Sequence, residues 1–277
     1  MAKRLAALVA ALLLPFAATA DALRWHSSSV LVMDPETHEV LVAEGDQKIL
    51  PIASVTKLMT AMVMLESGLP LNEMVTIEGG DVDRLKGSSS RLPVGTRLTK
   101  EQLLRLALMS SENRAAHALG RTYPGGMRVF VSTMNSLAKS LGMTSTSYVE
   151  PTGLSSLNTS TARDLAILVA EAGKNETIRQ FTTAQSYAVK LRGAGTTFGT
   201  TNALLSSARW DIELQKTGYI QESGRCMVLL ARFAGRTLVT VLLHAPDSQA
   251  RAADAETVRR MLLPRLDAVV RTPKRRL

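Results

Sequence analysis

From Val55 to Glu66 the chain reads as a helix with almost no polar face. Val55, Leu58, Met59, Ala61, Met62, Val63, Met64 and Leu65 fall on nearly every side of it, and Gly68 just beyond suits a helix C-cap. A helix with so little surface to give to water belongs in the middle of its domain, surrounded by other elements. The rest of the chain can supply them. It has 277 residues, 45% of them apolar, enough for one sizeable domain with a buried core. Aromatic residues are only 4%, so the core is built from Leu, Val, Ala, Met and Ile. Met59, Met62 and Met64 read as core filling, and a binding face of stacked rings is disfavoured.

The first twenty residues read as an export signal. Lys3 and Arg4 precede an apolar run from Leu5 to Leu14, and Ala18-Thr19-Ala20 follows Pro15 as a small-x-small cleavage site. That run is too short to span a bilayer core of ~30 Å. The expectation is an exported protein beginning near Asp21, with one domain over residues 21–270 and a basic tail over 271–277. The formal charge is +9, of which Lys3 and Arg4 carry two and the tail residues Arg271, Lys274, Arg275 and Arg276 carry four. The body of the chain is therefore only mildly basic. The tail could touch anionic lipid or wall polymer, or be a solvated terminus. Without interleaved basic and aromatic residues, nucleic acid is not an expected partner. Cys226 is the only cysteine, so no internal disulfide can form, and its setting in Cys226-Met227-Val228-Leu229-Leu230 reads as a buried strand. Four scattered His give no support for a metal site.

Along the chain, Val30–Met33 and Val40–Ala43 read as a hairpin across Asp34-Pro35-Glu36-Thr37. Thr99 and Gln102 form a capping-box pattern ahead of an apolar helix. After a polar break at Ser110–Asn113 a second helix runs to about Arg121, and further helices follow over Met127–Leu141 and Thr161–Ala172. The last third predicts strands at Tyr187–Leu191, Ile212–Lys216, Arg225–Phe233 and Thr237–His244, then a closing helix over about Ala250–Val270. An antiparallel sheet can combine strands from both ends, with the helical block as a second lobe.

Three short motifs carry chemistry. In Ser54-Val55-Thr56-Lys57 a hydroxyl sits at a helix start, with an amine three residues on along the same face. That amine can act as a base only if burial lowers its pKa far below the usual ~10.4. Ser111-Glu112-Asn113 offers a hydroxyl and a carboxamide from the break between two helices; Ser111 or Asn113 would serve equally well as an N-cap. Lys216-Thr217-Gly218 closes a strand with a cation, a hydroxyl and a glycine that lets a ligand come close.

In this order and in these contexts the motifs resemble those of the penicillin-binding protein and serine β-lactamase superfamily. Pro51–Thr60 looks like the active-site segment of low-molecular-mass D-alanyl-D-alanine peptidases. Glu150–Ser155 with Ser160–Leu165 is similar to the same group, closest to its endopeptidases. The resemblance implies an α/β (α+β) fold of the β-lactamase/DD-peptidase type: a five-stranded antiparallel sheet flanked by helices, with a helical lobe. It also implies roles. Ser54 attacks the carbonyl of the penultimate D-alanine, Lys57 takes its proton, and Ser111 passes a proton to the leaving amine. Asn113 holds the substrate amide, Lys216 supports Ser111, Thr217 binds the carboxylate, and Gly218 lets the substrate approach. The backbone N–H groups of Ser54 and Tyr219 form the oxyanion hole. Peptidoglycan stem peptides are the implied substrate, β-lactams the implied inhibitors, the periplasm the implied location, and no metal or organic cofactor is needed.

Three other readings compete. A β-lactamase would need a carboxylate to activate water, and only Glu150 stands in a comparable position; its Pro-Thr-Gly-Leu context reads as structural. A non-catalytic wall-binding protein would not need all three motifs intact. A carboxypeptidase uses the same chemistry, but many carry an added β-rich domain, and here only 59 residues follow Gly218. Endopeptidase is therefore the expected activity. His38, His117, Arg232 and Arg236 receive no site role, although either Arg could help bind a carboxylate. Asn158-Thr159-Ser160 matches a glycosylation pattern but is discounted.

Overall fold

A computed structural model of the chain describes residues 24–191, 193–233 and 235–271. The expected export signal and residues 272–277 of the expected tail lie outside them. No described helix is long and apolar enough to cross a membrane.

The chain opens with β1 (Ser29–Met33), β2 (Val40–Glu44) and the short β3 (Leu50–Pro51). A single 3-10 turn, Ala53–Val55, then leads into α1 (Thr56–Glu66). The helical lobe follows: β4 (Met74–Thr76), β5 (Arg97–Thr99), α2 (Lys100–Met109), α3 (Asn113–Arg121), α4 (Gly126–Ser140), β6 (Thr159–Ser160), α5 (Ala162–Ala172) and α6 (Glu176–Thr183). Next come the hairpin β7 (Ser186–Leu191) and β8 (Ala194–Gly199), the long strands β9 (Asp211–Ile220), β10 (Gly224–Phe233) and β11 (Arg236–Ala245), and α7 (Ser248–Arg271).

Five strands form one antiparallel sheet in the order β2-β1-β11-β10-β9, so the two ends of the chain close on each other. Local chemistry sets the turns. In the first hairpin the Asp34 carboxylate accepts from the N–H groups of Glu36 and Thr37, and His38 takes a left-handed conformation at φ +59°. Between β10 and β11, Phe233 pairs with Arg236 and Gly235 has φ +83°, the conformation that two-residue hairpin turns favour.

The central strands are apolar without alternation because both faces are covered. Val228, Leu230, Val239 and Val241 join the core under the helical lobe. Met227, Leu229, Leu242 and Ala231 turn to the opposite face, where Ala255, Val258 and Leu262 of α7 cover them. Helix α1 stands in the middle, packed by α2, α3, α4 and α5, with every residue from Thr56 to Met64 buried. Burial of that kind is worth roughly 25 cal/mol per Å² of apolar surface.

The expected helices appear with ends shifted by one or two residues. The box at Thr99 and Gln102 forms in both directions, at 3.1 and 3.0 Å. Strand β9 is the main revision: it does not stop at Lys216 but continues through Thr217-Gly218 to Ile220, because Gly218 pairs with Cys226 and Thr217 with Met227 across the ladder. Cys226 is fully buried and its thiol pKa is pushed up by that burial. Asn158 is also fully buried; its amide donates to Thr56 Oγ1, the Glu150 carbonyl and the Glu150 carboxylate.

Candidate active site

Ser54 lies in the turn that starts α1, and the turn is under constraint. Ala53 has φ +45°, a left-handed conformation unusual for a residue with a side chain. Two glycines press on it. A Cβ on Gly153 would lie 1.9 Å from the Ala53 carbonyl oxygen. A Cβ on Gly218 would lie 3.0 Å from the Ile52 oxygen and from the Ser54 nitrogen. The edge of β9 is thereby brought alongside the serine.

Lys57, the second residue of α1, points back at Ser54. Its Nζ is 2.8 Å from Ser54 Oγ, 2.7 Å from Asn113 Oδ1 and 2.6 Å from the Thr152 carbonyl oxygen. The side chain is fully buried, and this pulls its pKa down to about 8 although the Glu150 and Glu112 carboxylates oppose the shift. A neutral amine has two N–H bonds and one lone pair. Asn113 and Thr152 can accept the two N–H bonds, which leaves the lone pair facing the Ser54 hydroxyl.

Ser111 sits in the break between α2 and α3 with φ +60°. Such strain on a non-glycine residue is typical of functional loops. The helix cap at this break is neither Ser111 nor Asn113. Glu112 caps α3, its carboxylate accepting from the Arg114 N–H, with Ser90 Oγ donating to it at 2.6 Å. Both neighbours are thereby freed. Ser111 Oγ accepts from Lys216 Nζ at 2.9 Å, and Asn113 Nδ2 donates to Ser88 Oγ at 2.9 Å. Lys216 is also fully buried; its pKa is lowered by burial and then by the nearby positive charges of Lys57 and Arg251.

A cavity of about 260 Å³ opens beside these groups, lined by Ser54, Ser111, Asn113, Thr217, Gly218 and Tyr219. All the sequence-nominated residues except the two buried lysines line it, and both lysines bond to residues that do. Thr201, Arg225, Ser248 and Arg251 line it as well, none of them nominated from sequence. Thr201 and Thr217 share a hydroxyl hydrogen bond of 2.6 Å, and the Arg225 guanidinium lies 3.7 Å over the Tyr219 ring. Arg251 gives one N–H to the Cys226 carbonyl, while its Nε is buried without a partner, and burial and Arg225 lower its pKa. An anion in this cavity would relieve that strain. The two arginines weighed from sequence are engaged elsewhere: Arg232 pairs with Glu213, and Arg236 with Asp34 and Glu39. Arg251 stands at the start of α7, in a stretch whose sequence carries no motif.

Glu150 is bound up by its own loop. Its carboxylate accepts from Thr152 N–H and Oγ1, Gly153 N–H, Ser155 N–H and Asn158 Nδ2. The effect is to hold the Thr152 carbonyl on Lys57. Among the described residues no group of three His, Cys, Asp or Glu side chains is arranged to hold a metal ion.

Residues 16–247 match the peptidase S11 family, described as D-alanyl-D-alanine carboxypeptidase. The chain belongs to this family. Two relatives show how the S11 chain sits within it. A Pseudomonas aeruginosa protein named D-alanyl-D-alanine endopeptidase is 43% identical over 238 residues, covering 85% of this chain and 77% of that one. An Escherichia coli protein of the same name is 38% identical, covering 84% and 76%. The crystal structure of the Streptomyces K15 DD-transpeptidase superposes with a TM-score of 0.78 at 30% identity, covering 84% of this chain and 95% of that one. The S11 chain is thus a serine DD-peptidase with the expected fold.

Proposed function

We propose that this S11 peptidase is exported to the periplasm and hydrolyses D-alanyl peptide bonds of peptidoglycan stem peptides through an acyl-enzyme on Ser54. Its principal substrate is the cross-link between two stems, and β-lactams inhibit it by acylating the same serine. The observation that carries this reading is the buried Lys57 amine, 2.8 Å from Ser54 Oγ, with acceptors in place for its other protons.

The steps follow from the positions. Neutral Lys57 takes the Ser54 proton as Oγ attacks the carbonyl of the penultimate residue. The N–H groups of Ser54 and Tyr219 hold the oxyanion, donors of a kind typically worth ~3 kcal/mol each in the transition state. Ser111, bonded to Lys216, relays to the leaving amine the proton that Lys57 took from Ser54. Asn113 orients the acyl amide, Gly218 admits the peptide to the edge of β9, and Thr217 and Arg251 hold the carboxylate of the leaving residue. Water then releases the acyl group. The engagement of both Glu150 oxygens by its loop favours slow release of a bound β-lactam over the rapid turnover of a β-lactamase.

Preference for the cross-link rests on the two relatives named endopeptidase. The test is to give the purified protein cross-linked muropeptide dimers and uncross-linked pentapeptide monomers side by side. Dimer cleavage that needs Ser54 is expected. Release of D-alanine from the pentapeptide with dimers left whole would assign carboxypeptidase instead.

A further inference from the structure

The carboxamide of Asn113 has two ends of opposite polarity, and the chemistry at Ser54 depends on which end faces inward. Its Oδ1 faces Lys57 Nζ at 2.7 Å and its Nδ2 faces Ser88 Oγ at 2.9 Å. With the oxygen inward, neutral Lys57 gives one N–H to Asn113 and the other to the Thr152 carbonyl, and its lone pair is left for the Ser54 hydroxyl. With the nitrogen inward, an amide N–H would take that lone pair. Lys57 would then turn an N–H toward Ser54, the wrong polarity for removing a proton.

A hydroxyl by itself cannot select between the two arrangements, because it donates and accepts equally well. Ser88 does not act by itself. It lies between β4 and β5, in a turn wound around the Asp83 carboxylate. Asp83 accepts the N–H groups of Leu85 at 2.7 Å, Lys86 at 3.0 Å and Ser88 at 2.7 Å. Burial works to raise the Asp83 pKa, but the Ser88 side chain and these N–H groups outweigh it and hold the carboxyl below its ordinary value. A carboxylate only accepts. It draws the Ser88 proton to itself and leaves the Ser88 oxygen as an acceptor.

We propose that Ser88 is a positioning residue: aligned by Asp83, its oxygen accepts one N–H of Asn113 Nδ2 and so keeps Asn113 Oδ1 on Lys57. The second N–H of Nδ2 is thereby left for the substrate amide. The inference rests on the peptidase reading and adds to it a residue from outside the three motifs.

The test follows the second-order rate of Ser54 acylation by benzylpenicillin between pH 6 and 9.5. It compares the full chain with Ser88→Ala, Ser88→Thr and Asp83→Asn. The charged groups that face Lys57 are Glu112 at the start of α3, Glu150 in the loop before β6 and Lys216 on β9, and none of them is altered. Removing the Ser88 hydroxyl frees the carboxamide to turn. Its N–H then favours the neutral amine, and the ammonium loses an acceptor. Ser88→Ala is expected to lower the plateau about tenfold and to move the midpoint about half a pH unit toward acid. Ser88→Thr keeps the hydroxyl and restores both. Asp83→Asn, whose amide can donate as well as accept, moves the midpoint the same way by less. A Ser88→Ala profile identical to the native one, or a lowered plateau with the midpoint unmoved, overturns the positioning role and leaves the peptidase standing. No acylation of any of the four proteins overturns both.

Discussion

Lys57 Nζ lies 2.8 Å from Ser54 Oγ and is fully buried. Such an amine serves as a base only when it is neutral, and its pKa of about 8 makes that a property of pH. Acylation of Ser54 by benzylpenicillin is expected to climb about tenfold per pH unit up to pH 8 and to level off near 9. The second-order rate constant, read by intact mass between pH 6 and 9.5, checks this. A flat profile would mean that another group takes the proton.

The same burial carries a cost in stability whose sign can be worked out. The folded-state pKa of about 8 is below the ordinary 10.5, so the unfolded chain binds more protons between these values. The penalty is fully present below pH 8 and fades as pH rises toward 10.5. Its size is about 3 kcal/mol. Unfolding in denaturant of the native chain and of Lys57→Met, at pH 7.5 and at pH 10, should show the native chain gaining on the variant at the higher pH.

Gly153 and Gly218 leave the turn at Ser54 no room for a side chain. Gly153→Ala sets a Cβ into the Ala53 carbonyl at a position with φ +83°. It is expected to lose about 3 kcal/mol or more of stability together with acylation. Gly218→Ala has an ordinary backbone angle and a milder 3.0 Å contact, with the Ser54 nitrogen among its neighbours. Near-native melting with acylation slowed about tenfold or more is the expected outcome, as for a small displacement of reacting groups.

For Glu150 the structural role and a water-activating role give opposite kinetics. Glu150→Ala should lower stability by about 3 kcal/mol, since several hydrogen bonds to a charged acceptor are lost at once. It should also slow acylation, because the Thr152 carbonyl loses its support beside Lys57. Normal acylation with a much longer-lived penicilloyl adduct would instead mark Glu150 as the group that activates water.

Much of this site was legible because its chemistry is packed into three short motifs on a helix start, a helix break and a strand. Spacing alone put Lys57 on the face of Ser54, and the apolar helix around it implied the burial that shifts its pKa. What escaped notice depends on tertiary approach. Arg251 and Thr201 come from segments with no motif and reach the cavity only when α7 and the β8–β9 connection fold back. The cap at Glu112 is masked in the sequence by its neighbours, because Ser111 and Asn113 are stronger cap residues. Strand β8, with two glycines and two threonines in six residues, has no apolar period to detect, and α6 is a helix of only eight residues. Strands β3 to β6 are two or three residues long, too short for periodicity to show.

The central claim is that Ser54 becomes acylated and stays so. Residues 21–277 and the Ser54→Ala variant, each incubated with benzylpenicillin and followed by intact mass over time, test it directly. A one-to-one penicilloyl adduct that persists on the native chain and never forms on the variant is the predicted result. Rapid hydrolysis of the drug with no lasting adduct, or a drug left untouched by both proteins, would contradict it.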